Sequence, residues 1–272
     1  MTTIPDLKTP RHERRVVLFR IVAGLIAIGL FAMDGISVLA PWIDLPSHRD
    51  LAYPSAIQRW YEARWSAYAG ILLTGCLLAL LQSGPRPLLL QFLVLAGAIL
   101  GAISLPFEPL IGITRIVAIA LLVAIFPDRG SLARFSRPDR VSRPLLALSL
   151  VTGALLALNA WHSIQPDLGG AYGYDRYSSE AVVLAAALAL AGLLAATKRP
   201  GWQALALLAG AALIYLGLVA AKLLEPTGHW SGVYAALATL SGWAFVGATL
   251  WEARRERKNS ADWSNATSLI PK

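Results

Sequence analysis

The chain is divided into apolar stretches of about twenty residues that recur along its whole length, and this repetition limits what it can fold into. Crossing the hydrocarbon core of a bilayer takes roughly 20 apolar residues in an α-helix, because each backbone polar group must find its partner within the segment. Eight segments meet this requirement: about 16 to 40, 66 to 82, 87 to 104, 109 to 127, 144 to 161, 181 to 197, 202 to 221 and 232 to 251. Composition agrees, since 56% of the 272 residues are hydrophobic, only 15% are charged and the mean hydropathy is +0.57. A soluble domain of this size carries more surface charge. The expected fold is all-α, a polytopic membrane protein of eight transmembrane helices.

The net charge of +8 would suggest a nucleic-acid partner in a soluble protein. Its distribution gives a different reason. Lys and Arg number 17 on the face shared by both termini and 5 on the other, with Arg20 and Arg115 inside spans. Short loops rich in Lys and Arg stay in the cytoplasm, so the expected site is the cell membrane, multi-pass, with both termini cytoplasmic and no nucleic acid as partner. The basic run Arg254-Arg255-Glu256-Arg257-Lys258 then faces anionic lipid headgroups. The first apolar stretch is read as a retained helix, because Pro41 would follow a cut after Ser37-Val38-Leu39-Ala40.

The segments also echo one another. Arg49-Asp50-Leu51-Ala52-Tyr53 and Arg59-Trp60-Tyr61-Glu62-Ala63 resemble Pro166-Asp167-Leu168-Gly169-Gly170-Ala171-Tyr172 and Arg176-Tyr177-Ser178-Ser179-Glu180-Ala181. The turn Arg86-Pro87 recurs as Arg199-Pro200, and Glu108-Pro109 as Glu225-Pro226. Two parallel four-helix repeats follow, because an even number of spans returns each half to the same orientation. The expected organisation is a tail (1–15), a first half (16–127), a basic cytoplasmic linker (128–143), a second half (144–251) and a C-terminal tail (252–272).

Chemistry-bearing residues gather on the outer side. The carboxylates include Asp34, Glu108 and Glu225, and the histidines include His162 and His229 at helix ends. No His-x-x-x-His or comparable ligand pair is present, so neither a metal nor any other cofactor is expected. The single cysteine, Cys76, lies within an apolar segment and reads as a packing residue. Gly97-Ala98-Ile99-Leu100-Gly101 is a small-xxx-small pattern that lets helices approach closely. Twelve of the 17 Trp and Tyr residues fall at the outer rim or loops, more than an interfacial belt requires, which predicts a polar and aromatic outer cap.

Arg115 interrupts an otherwise apolar segment. It lies about 10 Å along the helix from Glu108, too deep for the interface and too shallow for the centre. A charge there costs roughly 2.5 to 3.5 kcal/mol at mid-membrane on insertion scales, so it either snorkels or meets an acid or a bound anion, with Asp34 as the intramolecular candidate. The candidate substrate-binding residues are thus Arg115, Asp34, Glu108, Glu225, His162 and His229. The function expected is that of a binding or transport protein, or a membrane-complex subunit, contacting a solute, a lipid headgroup or a protein partner within the membrane. The alternatives are a membrane enzyme acting on a lipid-linked or periplasmic substrate, and a structural accessory subunit. No catalytic motif argues for an enzyme.

Overall fold

The computed structural model describes residues 10–43, 55–82, 86–104, 109–127, 141–164, 174–223 and 232–268. These are all-α, with no strand among them. They form eight helical runs. The first joins α1 (Pro10–Leu30), a π-helical segment (Phe31–Gly35) and a 3-10 turn (Ile36–Leu39). The second joins α2 (Ser55–Trp65), a longer π-helical segment (Ser66–Leu73) and α3 (Thr74–Leu81). Single helices follow: α4 (Pro87–Ser104), α5 (Pro109–Ile125), α6 (Arg143–Ile164), α7 (Tyr174–Ala196), α8 (Trp202–Leu223) and α9 (Gly232–Ser268).

Each run falls on one of the eight apolar stretches. Four are long and apolar enough to cross a membrane, Arg59–Leu81, Arg143–Trp161, Trp202–Leu223 and Gly232–Lys258, and shorter apolar helices occupy Pro87–Ile99, Ile113–Ile125 and Ala181–Ala196. The outer surface is apolar as well, with Leu25, Ile28, Val117, Leu150, Leu240 and Trp243 exposed. Such a belt has no reason to face water.

Four helices exceed their apolar stretches. The first run begins at Pro10, inside the expected tail, the second and sixth begin at Ser55 and Tyr174, inside segments expected to be loops, and α9 continues to Ser268 rather than ending near Trp251. Glu, Ala, Arg and Lys are strong helix formers, so a helix already nucleated by its apolar part propagates through Glu252-Ala253-Arg254-Arg255-Glu256.

The runs pack in two rings of four. The first run lies against the second and fourth, and the third against the second and fourth; the fifth to eighth repeat this arrangement. Between the rings, the second run packs on the seventh and sixth, and the third on the sixth and seventh. The second and seventh runs are therefore central and the most buried of the four long spans. Gly201, at φ 103°, lies so close to Arg86, just before α4, that a Cβ there would sit 3.3 Å from that of Arg86.

Packing differs between the rings. On α8 and α9, a Cβ at Gly210 would lie 2.9 Å from the Gly242 carbonyl, and one at Gly242 would lie 2.6 Å from the Gly210 carbonyl. The two backbones are in contact. On α4, Gly97 and Gly101 instead face the side chains of Ile119 and Ile116 on α5. The small-xxx-small pattern thus serves helix packing, as its spacing suggests.

Candidate functional site

Arg115 lies on α5 about two turns from its start and is half-buried. Its guanidinium carbon stands 4.8 Å from the centroid of the Trp65 ring. Trp65 is the last residue of α2, immediately before the longer π segment, and packs against Tyr68 at 5.8 Å. A partly desolvated cation on an indole face is worth about 1 to 2 kcal/mol, which offsets much of the cost of an arginine at this depth. Tyr68 is fully buried and donates its hydroxyl to the Ala96 carbonyl at 2.9 Å, fixing the second run to α4.

Beneath this pair opens a cleft of about 560 Å3, a figure that includes the space at its open side. Its floor is buried and apolar, formed by Ala69, Leu73 and Leu77 of the second run, Leu93 and Gly97 of α4 and Leu122 of α5. Its rim is half-buried: Ile26 and Leu30 of α1 on one side, Ala118 and Ile119 of α5 on the other. At the far end α1 and α5 close on each other through Phe19 and Phe126, whose rings meet edge to face at 5.3 Å. The cleft is therefore a wedge running from Arg115 and Trp65 to Leu122 and Leu77, with the Phe19–Phe126 contact one turn beyond Leu122.

Both π segments border it. The one at Phe31–Gly35 follows Leu30 directly and packs against the one at Ser66–Leu73, which supplies Ala69 and Leu73. A π turn inserts one extra residue and widens the helix locally, and such bulges gather at functional sites. Thr74 ends the longer segment: its N–H and its hydroxyl both donate to the Ala69 carbonyl five residues back, the hydroxyl at 2.9 Å.

At the same end, polar and aromatic groups join the first, second and seventh runs. Tyr215 of α8 donates to the Val38 carbonyl at 3.1 Å, packs on Trp42 at 5.7 Å and hydrogen-bonds Ser66. Arg64, nearly buried, lies over Trp60 at 5.9 Å. The opposite end carries an ion cluster. Ser142 caps α6, its hydroxyl accepting from the Leu145 N–H at 3.4 Å and donating to Glu252 at 3.0 Å. Lys198, in the turn between α7 and α8 at φ 53°, pairs with Glu252 and with Glu256, the latter at 3.2 Å. A second pocket, of about 280 Å3, lies among α6, α8 and α9. Thr152, Asn159, Tyr234 and Ser241 help line it, and the Thr152 hydroxyl has no partner among the described residues.

Of the residues singled out by sequence, Arg115 lines the cleft. The backbone of Asp34 lies in the shorter π segment, one turn beyond the rim residue Leu30, but its side chain is outside the described residues. His162 is on α6, its side chain likewise outside them, as are Glu108, Glu225 and His229 altogether. Sequence reasoning put Trp65 and Tyr68 in an aromatic rim without assigning them to Arg115. The i, i+3 spacing of Trp65 and Tyr68, just after Arg64, was the available signal. Tyr215 sits in an apolar helix with no such mark. Among the described residues no three His, Cys, Asp or Glu side chains come together as metal ligands would. No protein family, curated protein or solved structure matches the chain.

Proposed function

We propose that this is a multispanning integral membrane protein of the cell membrane that binds an amphipathic anion in the cleft beneath Arg115 and Trp65. The observation that carries the reading is a guanidinium at one end of an apolar cleft, a pairing suited to a ligand with an anionic head and a hydrocarbon body. Among the described residues the lining of the cleft is apolar apart from Arg115 and Trp65, which suits binding or transport, or service as a subunit of a membrane complex. Asp34 is the acid proposed to accompany Arg115. Glu108, Glu225, His162 and His229 are proposed for the outer rim.

All eight runs are taken to cross the bilayer, as two parallel four-helix repeats with both termini cytoplasmic. The two rings support duplication, because exchanging runs one to four with five to eight maps each packing contact between runs onto another. The repeated Arg59 and Arg176 segments both extend their helices beyond the apolar stretch, which agrees with it. Cysteines introduced singly at Ser47 and Ser178 are expected to react with an impermeant maleimide in intact cells, and one at Ser131 only after permeabilisation. The reverse pattern overturns the orientation.

Binding is tested with bromododecyl phosphate, whose bromine quenches tryptophan on contact. Titration of the protein in a non-ionic detergent is expected to quench Trp65, with Trp65→Phe identifying its signal. Arg115→Ala is expected to raise Kd about tenfold, the loss of one charge-assisted contact. Equal quenching of the wild-type protein and Arg115→Ala would remove the site.

A further inference from the structure

The shape of the cleft narrows the ligand further. We propose that its occupant is one phospholipid of the outer leaflet, with its phosphate on Arg115 and one acyl chain lying along the wedge towards Phe19 and Phe126. This rests on the reading of the cleft as an amphipathic-anion site and adds the identity and route of the ligand.

Depth is the first argument. On α5 the cleft is lined from Arg115 to Leu122, about 10 Å at helical rise. One leaflet contributes half of a hydrocarbon core about 30 Å thick, or roughly 15 Å. The cleft thus takes the part of a chain next to the headgroup, with the Phe19–Phe126 contact one turn beyond it. A free inorganic anion has no use for this groove, and a neutral hydrocarbon has no use for the arginine.

The route is the second argument. The rim of the cleft consists of side chains on α1 and α5 that are half-buried, and beyond them Leu25, Ile28 and Val117 are 65%, 67% and 58% exposed. The opening thus faces sideways between two helices with lipid-facing neighbours, and a lipid enters without its chain meeting water. Small residues line the way, Ala69 on the floor and Ala118 on the rim.

The third argument is the arginine's donor set. A guanidinium carries its N–H donors in one planar fork, which suits the bidentate recognition of a phosphate while the cation rests 4.8 Å from the Trp65 ring. With five donors it can hold a carboxylate along one edge and a lipid phosphate along another.

The test is native mass spectrometry of the full chain in detergent with three probes: phosphatidylglycerol, diacylglycerol of the same chains, and glycerophosphoglycerol, the headgroup without chains. Phosphatidylglycerol is expected to be retained at least tenfold better than either fragment. Arg115→Ala is expected to lower its retention to the diacylglycerol level. Ala118→Phe, which leaves Arg115 in place and obstructs the rim, is expected to lower it about as far, and it carries the test should Arg115→Ala fold poorly. Equal retention of phosphatidylglycerol and diacylglycerol, with no effect of either substitution, means annular lipid only and overturns the proposal. Headgroup binding as tight as that of the whole lipid, and dependent on Arg115, also overturns it while leaving the anion site standing. Bromododecyl phosphate quenching that persists without phosphatidylglycerol retention separates failure of this inference from failure of the site.

Discussion

The two rings of helices are built from similar apolar sequences but close their interiors differently. In the last four runs, α8 and α9 touch through their backbones at Gly210 and Gly242, and Gly217 lies against the Ala235 carbonyl and the Thr239 hydroxyl. In the first four, glycines face the side chains of isoleucines, two helices are widened by π turns, and a wedge remains open beside Arg115. Backbone contact leaves few alternative arrangements, whereas packing through flexible side-chain ends yields at modest cost. The difference suggests that one ring is a rigid frame and the other holds the ligand.

The largest expected effect breaks the frame. Gly242→Val places a side chain against the Gly210 carbonyl and the Ile214 backbone, neither of which can rotate away. A loss of about 3 kcal/mol or more is expected, at or above the usual limit for overpacking. Gly97→Ala in the other ring meets only the end of the Ile119 side chain and is expected to cost about 1 kcal/mol. Reversible unfolding in mixed micelles measures both, and equal losses would end the distinction between the rings.

The ion cluster comes next. Lys198→Met leaves Glu252, 5% exposed, with Ser142 as its partner among the described residues. Breaking a fully buried pair costs about 3 to 5 kcal/mol, but the Ser142 bond persists, so about 2 kcal/mol is expected. Adding Glu252→Gln should recover more than half of that in the same assay. Additive losses would show that the pair does not clamp α9 to the α7–α8 turn.

These contrasts also mark what the sequence could convey. Hydropathy located every helical run, because burial of backbone polar groups ties length to apolarity. Arg115 was legible as a charge in an apolar run. Its partner ring was not, since Trp65 precedes it by fifty residues and belongs to a helix whose first eleven residues read as a loop. The π turns left no trace because an extra residue changes neither composition nor mean hydropathy. Glu252 follows an apolar segment and reads as a solvated tail residue, and only the turn at Lys198, 54 positions away, makes it a buried acid.

The proposed Arg115–Asp34 pair sharpens the comparison, as it sets a charge within the ring that already yields. Arg115→Ala is expected to harm stability more than Arg115→Ala combined with Asp34→Asn, because the double change leaves no isolated acid. A coupling of about 1 to 2 kcal/mol is expected in the cycle. Purely additive losses would reject the pair and leave the lipid phosphate as the only proposed acceptor.

The smallest effect concerns Thr74, and the matching control is in the frame. Both Thr74 and Thr249 are buried and return their hydroxyls to a backbone carbonyl, Thr74 to Ala69 at 2.9 Å and Thr249 to Phe245 at 2.7 Å. The Thr249 bond spans four residues inside a continuous α-helix, where the carbonyl already has the helical N–H, so a second bond adds little or bends the helix slightly. Thr249→Val is therefore expected to change stability by less than about 0.5 kcal/mol. The Thr74 bond spans five residues and ends a π segment, where the wider turn has poorer alternatives. Thr74→Val keeps the shape but removes the donor, with an expected cost of about 1 kcal/mol. The consequence for binding distinguishes this from simple loss of a hydrogen bond. Ala69 and Leu73 line the cleft, so a π segment relaxing towards α geometry rotates them relative to Arg115. Bromododecyl phosphate affinity should then fall several-fold in Thr74→Val, recover in Thr74→Ser and remain unchanged in Thr249→Val. Backbone amides from Leu73 to Thr74 should exchange faster only in the first variant. Equal behaviour of the two valine variants would mean that the π turn is held by the surrounding helices, and that the capacity of this ring to yield lies in its side chains alone.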